Sequence, residues 1–216
     1  MKQILYFVKK EFDVDFKRDG SIASIFAYLL SVLFSVSLLF KNKHTPVSYS
    51  SVFLIIFSFT SIISSYRNFI KENNDAGLWN YVMYSPYIYI LGKTLYLIIL
   101  NTLTGFLLLI LFIVFNGNLI ENIHLFVLNI IGLSVGLGAL LSLMGNISSK
   151  TDGNFTLMSI MSFPLLLPLL ILGAKLSIAA VQNIPFTMNT KYLISLFALD
   201  IIILLLTIIL FPQIRT

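Results

Sequence analysis

The residues that could do chemistry are few. Two histidines, His44 and His124, no cysteine and nine carboxylates are all that 216 residues offer for metal ligation or acid–base work. The histidines lie far apart in sequence, without a third ligand at metal-binding spacing, so no metal site is read. Either could offer haem iron an axial nitrogen, but an isolated loop histidine is more simply a polar loop residue. A hydrolase working at membrane depth would need a convergent nucleophile, base or metal pair. The sequence has no HExxH and no intramembrane aspartate pair, since Asp200 stands alone in its apolar run. Gly92-Lys93-Thr94 looks like the end of a phosphate-binding loop, yet the glycine required five residues before Gly92 is replaced by Tyr87, and no strand precedes it. The chain is therefore read as a non-enzyme with no cofactor assigned to it, and any nucleotide hydrolysis falls to a partner chain.

Two ionisable residues lie inside apolar runs. Asp200 sits about eight residues, or roughly 12 Å, into the last run, and Lys175 lies near the outer end of the run before it. Charges at membrane depth are usually paired or functional, so Lys175 and Asp200 are expected to pair across adjacent helices, with Lys175 also able to snorkel. Pro164 and Pro168 share one span. Each removes a backbone donor and opposes the carbonyl four residues earlier, predicting a static kink or a broken helix lining a path. Gly132, Gly136, Gly138, Ser142 and Gly145 form a small-residue series that lets helices approach closely, within the chain or at a homodimer seam.

The elements that must position these residues follow from composition. The chain is 58% hydrophobic and 11% charged, less than half the roughly 25% charge of an average soluble domain. Six apolar runs of spanning length occur at about 20–40, 47–66, 94–115, 125–145, 155–180 and 192–211. They predict an all-α integral membrane protein of six transmembrane helices. No linker suggests a second domain, so residues 1–216 are read as a single transmembrane domain. The run after the basic N-terminus is too long for a signal-peptide core and lacks a cleavage site, so it is read as a retained first span. With the N-terminus inside, the cytoplasmic segments hold Lys2, Lys9, Lys10, Lys17, Arg18, Arg67, Lys71, Lys93, Lys150 and Arg215, and the outer loops hold only Lys41, Lys43 and Lys191. This bias predicts that both termini are cytoplasmic. The net charge of +5 is then a topology signal and not a nucleic-acid footprint.

Two polar segments flank this core. Residues 1–19 carry Leu5, Val8, Phe12 and Phe16 at helical spacing among lysines and acids. They predict an amphipathic helix in the inner interface, either a surface anchor or an elbow bracing the first span. Residues 67–93 form the longest polar connection. In it Asp75 can cap a short helix near Gly77, Leu78, Tyr81 and Val82 form an i, i+3, i+4 stripe, and Pro86 ends the helix. Trp79 and Tyr84 add aromatic surface, suited to a partner's groove or to the headgroup layer.

The pattern Glu72-x-x-Asp75-x-Gly77-Leu78…Ser85-Pro86…Gly92-Lys93 resembles the coupling stretch of ABC-2-type permeases, including its place between the second and third spans. It departs from that stretch in having Trp79 where glutamate is frequent. Phe163-Pro164-Leu-Leu-Leu-Pro168-Leu-Leu-Ile171-Leu-Gly173 is similar to the double-proline span of the cytochrome c maturation protein B (haem exporter B) family, and length and span number agree. The resemblance implies the permease subunit of an ABC transporter in the bacterial inner membrane, acting in haem delivery or export for c-type cytochrome biogenesis, with haem as cargo of the complex. It further implies that Glu72, Asp75, Gly77, Leu78, Trp79, Tyr81, Ser85, Pro86 and Lys93 meet a cytoplasmic ATPase. A second permease copy and other cytochrome c maturation membrane proteins are the remaining implied partners. An ABC-2 exporter of a lipid, glycan or drug, and a non-transporting scaffold, are the rival readings.

Overall fold

The computed structural model describes residues 2–17, 21–40, 45–70, 85–149 and 155–215. They form seven helices and, among the described residues, no strand. These are α1 (Lys2–Lys17), α2 (Ser21–Phe40), α3 (Pro46–Ile70), α4 (Pro86–Asn116), α5 (Ile123–Ser149), α6 (Phe155–Val181) and α7 (Phe186–Arg215). All but α1 are long and apolar enough to cross a membrane. The bundle end that carries α1 is called the inner end below.

Two helices start earlier than their apolar runs. α4 begins at Pro86 and not near Thr94, and α7 begins at Phe186 and not near Tyr192. Hydropathy marks the depth of the hydrocarbon, whereas a helix continues until its backbone is capped. At 31 residues α4 measures roughly 46 Å, well beyond the ~30 Å hydrocarbon. Asn183 ends α6 in the left-handed region (φ 54°), and the amide of Ile184 returns to the carbonyl of Ala179 at 3.0 Å, the six-to-one bond of a Schellman ending. Asn122 caps α5 through its side-chain oxygen, 3.1 Å from the amide of Leu125.

α5 is the central helix and packs against α3, α4, α6 and α7. Most of its apolar window (78%) is buried, against 17% for α2. Its small residues permit this, because lipid provides little hydrophobic drive between helices and close van der Waals approach must replace it. Gly138 lies against the backbone of Ile98 on α4, Gly145 against the ring of Phe69 on α3, and Gly132 and Gly136 against α7. Gly173 of α6 returns the contact on Leu133. Three polar ties follow the same contacts. Asn129 donates to the carbonyl of Gly173 (2.9 Å) and to Ser177 Oγ (2.8 Å). The hydroxyls of Thr94 and Ser142 lie 2.8 Å apart, and Thr207 reaches the carbonyl of Ala139 at 3.3 Å. These glycines therefore serve packing within the chain.

The proline-bearing helix is not broken: α6 runs continuously through Pro164 and Pro168. Pro164 is exposed and Pro168 half-buried, so the rings lie toward the outside of the bundle.

The glycines differ in what opposes them, which sets a testable contrast. A Cβ on Gly138 would stand 2.8 Å from the backbone of Ile98, which cannot move aside, so Gly138→Ala should cost about 1–3 kcal/mol. A Cβ on Gly132 would meet chiefly the mobile end of Leu196, and the better helix propensity of alanine offsets that contact, so Gly132→Ala should be close to neutral. Thermal unfolding of the two variants in detergent should separate them by several degrees.

Candidate functional site

Polar chemistry concentrates at the inner end, where α1 lies on α4 and also touches α2. The buried face of α1 keeps Val8 and Phe12 of the expected Leu5–Val8–Phe12–Phe16 stripe but not Leu5. Leu5 is 67% exposed, whereas Phe7 is fully buried and Val8 nearly so; Phe12 packs against the core, and the side chain of Phe16 falls outside the described residues. Phe7 sits on Gly92, where a Cβ would lie 2.6 Å from its ring, and meets Tyr89 edge-on with ring centroids 5.7 Å apart. This rotation also turns two acids, Glu11 and Asp15, into the bundle.

Both acids find donors. Lys93 is wholly buried. Its ammonium lies 3.5 Å from Glu11 Oε2, 3.4 Å from the carbonyl of Asn68 and 5.0 Å from the ring centre of Phe69. Asp15 accepts a hydrogen bond from the phenol of Tyr96 and lies 3.5 Å from Asn68 Nδ2. Phe12 stacks edge-on against Tyr96 at 4.9 Å. Charges removed from water are tolerated when each is paired and hydrogen-bonded, so the cluster fixes the rotation of α1.

The place of this cluster in the chain is informative. Asn68 and Phe69 lie in the last turn of α3, and Lys93 and Tyr96 in the first turns of α4. The polar connection hangs between these two stems. Glu72, Asp75, Gly77, Leu78, Trp79 and Tyr81 lie in residues 71–84, outside the described residues. Ser85 is exposed in an extended N-cap position (φ −61°, ψ 149°), and Pro86 opens α4, where its missing N–H has no cost.

Two sequence expectations change. Lys93 does not present its charge to a partner, because it is buried against Glu11. Lys175 and Asp200 do not meet. Lys175 is exposed, with its ammonium 4.9 Å from the ring centre of Tyr192. Asp200 is buried beside Gly136, Leu169 and Leu196, and neither carboxylate oxygen has a hydrogen-bond partner among the described residues. Lys175 stands level with Tyr192, and Asp200 lies eight residues further along α7, roughly 12 Å away. His124 is exposed at the start of α5, and His44 is outside the described residues. No group of three or more histidine, cysteine, aspartate or glutamate side chains that could hold a metal occurs among the described residues.

Sequence reasoning did not single out Glu11, Asp15, Asn68 and Tyr96. A signal was present in Phe7, Glu11 and Asp15, spaced by four on one helical face, but acids on an apolar face gain meaning only beside their donors.

Six apolar spans packed around α5, with an amphipathic helix tied to the stems of an inner connection, define a multi-pass, all-α membrane protein of the permease class. The profile of the CcmB protein family matches residues 2–212. The chain belongs to the CcmB family, the haem-export permeases of cytochrome c biogenesis. Searches of curated proteins and of solved structures each found no match.

Lys93→Met would leave Glu11 buried beside an apolar group and should cost about 3 kcal/mol. Adding Glu11→Leu should recover most of the loss, and a double-mutant cycle of unfolding temperatures checks the coupling. Asp200→Ala removes a buried carboxylate without a donor and should raise the unfolding temperature by an amount equivalent to about 1 kcal/mol or more.

Proposed function

We propose that this chain is the membrane-spanning permease subunit of an ABC-type transporter complex, driven by a separate cytoplasmic ATPase and serving haem delivery to c-type cytochromes. The observation that carries the reading is the arrangement of the inner cluster on both stems of the 71–84 connection. Family membership supports the process, and the coupling pattern in Glu72–Lys93 supports the ATPase. A push on the connection enters α3 through Asn68 and Phe69 and α4 through Lys93. Phe69 bears on Gly145 of the central helix, and Lys93 draws α1 along through Glu11. Nucleotide-driven closure of the ATPases would thus move α1, α3 and α4 as one unit against α5, in the manner of a hinge or shear motion.

The basic residues of the inner segments favour a cytoplasmic position for this end and for both termini, in a bacterial inner membrane. A second permease copy completes the transmembrane unit, and other cytochrome c maturation membrane proteins join it. Haem is the cargo of the complex, and this chain works as a single transport domain without catalysis of its own.

The test is a deletion strain with the gene restored as wild type or as Gly77→Pro combined with Leu78→Asp. Haem-stained gels of membranes and periplasm should lose c-type cytochromes in the deletion, regain them with wild type, and stay blank with the double variant. Pull-down of the double variant should recover it from membranes without the ATPase. Unchanged haem staining in the deletion would remove the cytochrome assignment, and full ATPase recovery with the variant would remove the coupling assignment.

A further inference from the structure

A cavity of about 120 Å³ opens between α2 and α3 at the inner end, lined by Ser24, Ile25 and Tyr28 of α2 and by Thr60, Ile63 and Arg67 of α3. Neither the cluster around Lys93 nor the proposed coupling uses it. We propose that this cavity binds the oxyanion headgroup of a membrane amphiphile, the phosphate of an anionic phospholipid.

Among the described residues no carboxylate pairs with the charge in the cavity. Arg67 donates to Ser24 Oγ, and no carboxylate lies within ion-pair distance of it among the described residues. A guanidinium carries five donors in a planar fork, so most of its capacity is unused by Ser24, and phosphate is the oxyanion that such a fork holds in bidentate fashion. The phenol of Tyr28 lines the same space, and no hydrogen bond joins it to another described residue. Thr60, also in the lining, already donates to the carbonyl of Ile56 at 2.7 Å. The cavity thus offers donors from both helices and, among the described residues, no competing anion.

Its size selects what enters. At about 120 Å³ it falls well below the ~300–1,000 Å³ of pockets that enclose whole ligands, yet it equals the liquid volume of about four waters, enough for one phosphate group. The rest of the ligand must lie outside, and α3 provides the track. Ile55, Phe59, Ile63 and Arg67 recur every four residues and so share one face. Ile55 is 55% and Phe59 56% exposed, and Ile63 is half-buried. From Arg67 to Ile55 the stripe runs roughly 18 Å along the helix, close to the ~15 Å of one leaflet's hydrocarbon. A cation at headgroup depth followed by one leaflet of exposed apolar surface has the shape of a phospholipid, with its phosphate in the cavity and an acyl chain on the stripe. Free phosphate would use only the first half of this site.

The site lies where the fold is most weakly held. Among the described residues α2 packs chiefly on α1, α3 and α4 and is the least buried span. A phosphate shared by Arg67 and Tyr28 would fasten it to α3.

Native mass spectrometry of the purified full-length protein tests this, with dioleoylphosphatidylglycerol in one arm and inorganic phosphate in the other. Wild type should retain one phosphatidylglycerol per chain. Arg67→Gln should weaken its retention at least tenfold and Tyr28→Phe several-fold. Ile63→Trp, which fills the cavity while keeping the charge, should also lose the lipid, and lipid-free unfolding temperatures establish that each variant is folded. Binding of inorganic phosphate with displacement of the lipid would keep the oxyanion site and assign it to a soluble anion. Equal lipid retention by wild type, Arg67→Gln and Ile63→Trp would overturn the proposal. So would loss of a second permease copy in place of lipid, which would make this face a protein interface.

Discussion

The close approach of α5 to its neighbours governs the bundle. In a bilayer, apolar side chains gain little by leaving lipid for protein, so helices adhere through dense van der Waals contact and a few internal hydrogen bonds. α5 meets both demands on several sides. Glycines admit Ile98, Phe69, Leu196 and Leu169 to its surface, while Asn129, Ser142 and the Ala139 carbonyl bond outward to α6, α4 and α7. α2, which makes none of these contacts among the described residues, is the least buried span.

Around this centre the inner end is organised by charge. Glu11 and Asp15 would be costly on a face of α1 turned away from water, and Lys93, Tyr96 and Asn68 make that face tenable. The cluster gives the amphipathic helix one fixed rotation, which an anchor lying on the headgroups would not need. It also joins α1 to the two helices between which the inner connection runs, and α3 and α4 in turn contact the central helix. That continuity is what a permease requires if force applied from the aqueous phase is to reach its spans.

Asp200 and Arg67 are among the polar groups in the spans that depart from this pattern of internal satisfaction. Asp200 is buried at mid-helix with no donor among the described residues, beside a glycine whose missing side chain leaves room for the carboxylate. Arg67 sits at the edge of the bundle, where Ser24 Oγ is its hydrogen-bond partner among the described residues. The first is an internal cost carried by the α5–α7 contact. The second faces outward, where a ligand from the bilayer can complete it.

Much of the architecture was legible in the sequence. Six apolar runs, lysines and arginines clustered in alternate connecting segments, an amphipathic N-terminus and paired prolines follow from local composition and period, and the family profile spans residues 2–212. Local signals were less able to set helix ends, because hydropathy reports depth and not backbone capping. α7 therefore begins at Phe186. The expected pairing of Lys175 with Asp200 fails because Lys175 meets Tyr192, roughly 12 Å from Asp200 along α7. The rotation of α1 was hidden for a related reason. Leu5 and Phe7 are equally apolar, and only the positions of Gly92 and Lys93 on another helix decide that Phe7 and the acids turn inward. The sequence by itself determined how many spans there are, which are apolar and where the charges gather, because those are properties of each segment. Tertiary structure alone decided which charges meet, because partnership between helices depends on register and rotation, and neither is written in one segment.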